Sequence, residues 1–130
     1  MLQPTPAPVP VRCAVAPTVT DDIRAQVADA HRPVAIVGGS RWTDAAFELL
    51  PSALAGIPIV TGFRRQDLVD HRLPHFAGSL GLGADPALID RLRDADLVLA
   101  IGDRLDDPST NGFTLWPVPD PGVALAGMHQ

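Results

Sequence analysis

Between Ile57 and Asp107 the chain reads IPIVTGFRRQDLVDHRLPHFAGSLGLGADPALIDRLRDADLVLAIGDRLDD, and this order constrains the fold more than any other feature. An apolar run enters a basic turn, a glycine-rich bend follows, and Asp85-Pro86 opens a helical pattern. A second apolar run, Leu97 to Ile101, then ends in Gly-Asp-Arg-Leu-Asp-Asp. Short runs without polar residues are expected where a strand is buried on both faces, as in a parallel sheet. Upstream, Val34–Val37 is another such run, broken by Gly38-Gly39-Ser40.

The helical patterns lie between these runs. Ile23, Val27 and Ala30 recur at helical spacing, which predicts a helix over about 21–31 with Thr20 as N-cap, Asp21 and Asp22 in its first turn, and Pro33 as its stop. A second helix is expected over about 43–55, with Ala46, Phe47, Leu50 and Leu54 inward. Pro51 falls inside that pattern and should kink or split it. Ile57–Thr61 forms the next strand, Gln66–Val69 a short helical turn and Phe76–Gly78 a brief edge strand. A third helix follows Asp85 with Leu88, Ile89, Leu92 and Ala95 inward. Leu97–Ile101 is assigned to the sheet centre and Val123–Met128 to the last strand. Strand, helix, strand with short turns is the right-handed crossover that builds a parallel sheet. The expected fold is α/β, a Rossmann-like doubly wound parallel sheet of about five to six strands with helices on both faces.

Composition sets the limits. The chain's 130 residues suffice for one core. Residues 1–19 carry five prolines and are expected to be an extended linker or strap, with 20–130 as the domain. No apolar run approaches the roughly 20 residues that span a bilayer, so no membrane partner is expected. One cysteine, Cys13, allows no disulfide framework, and the expected compartment is the cytoplasm. The net charge is -5 and the ten basic residues, all arginine, are scattered, which argues against nucleic acid. The absence of lysine excludes a Walker-type phosphate loop and Schiff-base chemistry. His71 and His75 flank Pro74 without a third ligand, so no metal site is expected.

Ligands of open parallel sheets sit beyond the carboxyl ends of the strands. Three turns fall there: Gly38-Gly39-Ser40, Thr61-Gly62 and Gly102-Asp103-Arg104. These glycines either let backbone amides approach a phosphate or simply make tight turns. Arg104 suits a diphosphate and Asp106 a ribose hydroxyl, or the arginine is locked to a neighbouring aspartate. Arg64-Arg65 is expected to be a solvated turn, and Trp42 and Trp116 are read as packing residues. The dinucleotide fingerprint with glycines at relative positions 1, 3 and 6 is missing, as is an acid ending the second strand, so ordinary NAD-dependent dehydrogenase activity is not expected.

Four segments carry a family resemblance: Pro33–Gly39, Gly56–Arg64, Gly78–Pro86 and Ala95–Asp107. In this order they resemble the central domain of thiamine-diphosphate-dependent enzymes, in the acetolactate-synthase-like branch. The resemblance implies a three-domain parent in which flanking domains hold thiamine diphosphate and Mg²⁺. It also implies that this segment is a non-catalytic part of a carboligase or decarboxylase, spacing those domains, with FAD or ADP as candidate nucleotides. By the same resemblance, Gly38, Gly39, Ser40, Thr61, Gly62, Gly81, Leu82, Gly102, Arg104 and Asp106 would line the nucleotide groove. Gly102-Asp103 is followed by Arg104 rather than glycine, and Asn111 comes too early, so the family's magnesium motif is absent. A homo-oligomer is a further expectation, and a stand-alone module that binds FAD, ADP or NAD or serves regulation is the alternative from another class.

Overall fold

A computed structural model describes residues 17–40, 42–116 and 124–128, and the expectations for the leading strap and Cys13 otherwise lie outside them. Helix α1 spans Pro17–Asp29 and strand β1 Pro33–Val37. They are followed by α2 (Asp44–Ala53), β2 (Ile59–Thr61), β3 (Phe76–Ser79), α3 (Pro86–Arg93), β4 (Leu97–Ile101) and β5 (Ala124–Met128). A single 3-10 turn, Gln66–Leu68, follows β2. All four strand pairings are parallel and the order is β3-β2-β1-β4-β5. This is the doubly wound arrangement, with five strands.

Alternation along the strands divides the core in two. Val34 and Ile36 of β1, Val60 of β2 and Val98 of β4 face α3, where Leu88 and Leu92 meet them. Ala35, Val37, Ile59, Leu97 and Leu99 face the other way, toward Leu50 and Leu54 of α2 and the Ile23–Val27 side of α1. Both faces are covered, which is why these strands carry no polar alternation. The amino edge is pinned by Asp96, whose two carboxylate oxygens accept from His31 N and Arg32 N at 2.8 Å each.

Several sequence expectations need correction. Helix α1 starts at Pro17, three residues before the expected cap at Thr20, so no acid lies in its first turn. Proline suits the first helical position because its missing N–H would go unbonded there anyway. Phe47 points outward at 44% exposure, while Leu50 and Leu54 take the inner face. Pro51 neither splits α2 nor falls outside it; the helix runs on to Ala53, two residues short of the expected end. Strand β2 begins at Ile59 rather than Ile57. The sheet centre is β1, not β4, because β4 turns back to its other side and carries β5 beyond it.

Candidate functional site

The order reverses between β1 and β4, so the switch point lies where Gly38 and Gly39 leave β1 and Gly102 leaves β4. These turns interlock. Gly39 and Gly102 both have left-handed backbones, at φ 75° and 69°, and a Cβ on Gly39 would overlap the Gly102 carbonyl oxygen. Glycine is required here by the close approach of two backbones, the bland one of its two sequence readings.

Asp103 fills the space beside them. A Cβ on either Gly38 or Gly62 would collide with its Oδ2, so the carboxylate lies across the ends of both β1 and β2. Its Oδ1 accepts from Leu105 N at 2.7 Å. Burial pushes the Asp103 carboxyl above its ordinary value; the Leu105 amide opposes this, and the nearby charge of Asp106 adds to it. Trp42 completes the closure by donating its indole N–H to Gly38 O at 2.7 Å. Neither Asp103 nor Trp42 was a sequence-expected site residue. Asp103 sits between two that were, and its role follows only from the side chain crossing two neighbouring strands.

Two of the strand-end amides are also committed. Gly38 N donates to Ile101 O at 3.0 Å and Gly62 N to Val37 O at 2.8 Å. Thr61 is fully buried, and its hydroxyl shares a 2.7 Å hydrogen bond with that of Ser79. Gly81 lies in another part of the edge, where a Cβ would press on the Phe63 ring; Leu82 beside it is 89% exposed. Ser40, Arg104 and Asp106 are exposed. No carboxylate among the described residues lies within ion-pair distance of Arg104. The loop is ordered instead by its aspartates, with Asp106 Oδ1 accepting from Ser109 N at 3.1 Å. Arg65 pairs with Asp67 at 3.1 Å, and Arg64 stacks over Phe63 at 5.1 Å.

A carboxyl-edge cavity lined by Leu80, Gly81, Ser109 and Asn111 has a volume of about 110 Å³. That is below the several hundred Å³ typical of a cofactor site. Larger cavities, about 490 and 680 Å³, lie at the amino edge around Gly56, Pro58 and Arg91, away from the strand ends that a wound sheet presents to ligands. Among the described residues, the Asp103 carboxylate and the Trp42 indole are the groups that stand against Gly38 at the switch point. Among the described residues no three His, Cys, Asp or Glu side chains gather into a cation site, and no helix is long and apolar enough to cross a membrane. Trp116 donates to Leu92 O at 3.0 Å, and His71 stacks on Phe76, so both do structural work.

Comparison with known proteins agrees with this architecture. A sulfoacetaldehyde acetyltransferase of Castellaniella defragrans is 36% identical over 97 residues, covering 70% of this chain and 16% of that protein. A 3D-(3,5/4)-trihydroxycyclohexane-1,2-dione hydrolase of Listeria monocytogenes is 37% identical over 84 residues, covering 63% of this chain and 13% of that protein. The chain thus spans about one seventh of the length of these relatives. Residues 20–124 match the family described as thiamine pyrophosphate enzyme, central domain, which is most of the described sheet with both of its helical layers. On that match, the chain belongs to the thiamine pyrophosphate enzymes and corresponds to their central domain.

Proposed function

We propose that this domain is a non-catalytic part of a thiamine-diphosphate-dependent lyase or transferase, and that it spaces and orients the coenzyme-binding domains flanking it. The supporting observation is a family match that covers the sheet, combined with strand ends occupied by the protein's own Asp103 and Trp42. A domain that fills its own crevice is suited to transmit position rather than to bind and turn over a substrate. Thiamine diphosphate, when bound by the parent, supplies carbanion chemistry; this chain contributes a rigid body whose two cores fix the distance between its edges. The exposed carboxyl-edge residues Ser40, Leu82, Arg104 and Asp106 are the part of the expected site left free to meet a neighbouring domain. That two of the relatives are named as an acetyltransferase and a hydrolase supports an acyl-transfer or hydrolytic reaction for the parent.

A chimera tests the spacer role. Residues 20–124 replace the matched segment of the Castellaniella acetyltransferase, and acetyl transfer is assayed with thiamine diphosphate and Mg²⁺. A working spacer leaves measurable turnover, whereas a folded, correctly assembled chimera without turnover rules the role out. The isolated chain should not consume pyruvate with the same cofactors, and turnover by it would end the non-catalytic reading.

A further inference from the structure

The fold provides a place where a wound sheet ordinarily receives a phosphate, and this chain places a carboxylate there. Asp103 Oδ2 lies against both Gly38 and Gly62, the residues that follow the last positions of β1 and β2. Each glycine's amide is already bonded to a strand carbonyl, so neither is free to donate to an anion. Gly39 and Gly102 meet backbone to backbone across the switch point, and the Trp42 indole is tied to Gly38 O. Asp106 adds a second carboxylate on the same loop, near enough for its charge to act on Asp103. Arg104, which lies between them in sequence, is exposed. A phosphoanion entering the crevice would meet like charge at close range, and at Gly38 and Gly62 amides that are already bonded.

We propose that Asp103 determines what the switch-point crevice accepts, excluding phosphoanions by occupying both the volume and the polarity that a diphosphate requires. The inference goes beyond the spacer role and does not depend on it: a spacer with an open crevice, or a self-filled domain with another task, is equally conceivable. Charge and volume are separate contributions to the exclusion, and different substitutions remove them. Asp103→Asn keeps the shape and removes the charge, whereas Asp103→Gly removes both.

The test is calorimetric titration of the full 130-residue chain with inorganic pyrophosphate and with ADP, at neutral pH and fixed ionic strength. Wild type should show no saturable binding tighter than about 1 mM, and Asp103→Gly should bind at least about tenfold more tightly than wild type. An equal gain in Asp103→Asn assigns the exclusion to charge, and a gain confined to Asp103→Gly assigns it to volume; both support the proposal. Sub-millimolar binding by wild type overturns it. So does a folded Asp103→Gly, checked by far-ultraviolet dichroism, that binds no better than wild type. Should that variant fail to fold, Asp103→Ser, which keeps a short polar side chain without the carboxylate, is judged by the same criterion.

Discussion

Gly62→Ala tests the position of Asp103 most sharply. Gly62 is buried, its backbone is not left-handed, and the nearest atom to an added Cβ apart from the Asp103 side chain is Val37 O at 3.6 Å, an ordinary contact. An alanine would therefore be acceptable there but for Asp103 Oδ2, with which its Cβ collides. The carboxylate has to leave, breaking the 2.7 Å hydrogen bond from Leu105 N. A hydrogen bond to a charged acceptor contributes about 1.5–3 kcal/mol. Gly62→Ala should therefore cost about 2 kcal/mol. In an Asp103→Ala background the obstacle and the hydrogen bond are already gone. The same substitution should then stabilise by about 0.4–1 kcal/mol through the lower entropy of the unfolded chain. The coupling energy from the double-mutant cycle is thus about 2–3 kcal/mol, measured by urea unfolding of the four proteins. Additivity within about 0.5 kcal/mol would refute the placement of Asp103 between the strand ends.

Three further outcomes are expected. Burial raises the Asp103 carboxyl above 3.8, so the folded state holds this proton more tightly than the unfolded chain and stability is lost as pH rises from 3.8 through the raised value. Melting temperatures across acid pH should therefore show wild type losing stability relative to Asp103→Asn over that window and then running parallel to it; curves parallel throughout would contradict the burial. Leu92→Ala, at a fully buried position between α3 and the sheet, should destabilise by about 2–5 kcal/mol in denaturant unfolding, and a loss below 1 kcal/mol would speak against that packing. Ser79→Ala leaves the buried Thr61 hydroxyl without its partner and should cost about 1–3 kcal/mol, much of it recovered by adding Thr61→Val, as read by thermal unfolding.

Much of the architecture was legible because burial on both faces leaves a direct mark on a strand. Val34–Val37 and Leu97–Ile101 contain no polar residue, and both are strands within the sheet. Asp85-Pro86 announced α3 through an aspartate that caps and a proline that tolerates the first position; Asp85 Oδ1 indeed accepts from Ala87 N at 2.8 Å. The misreadings share a cause. The start of α1, the inward assignment of Phe47 and the central assignment of β4 each depend on what packs against the element, and apolar periodicity is silent on that. In α2 nearly every side is apolar, so the periodicity did not distinguish Phe47 from Leu50; the neighbouring sheet did.

The candidate site divides along the same line. By itself the sequence determined the class of sheet and the turns that end its strands, because each of these is a property of residue type and local spacing. Only the tertiary structure decided that Gly39 and Gly102 touch, that the amides of Gly38 and Gly62 are already bonded, and that Asp103 reaches across two strand ends into the crevice. Those facts arise from strands brought side by side from positions as distant as 38, 62 and 103. Whether a glycine turn cradles a ligand or merely clears a neighbour depends on what the rest of the chain places opposite it.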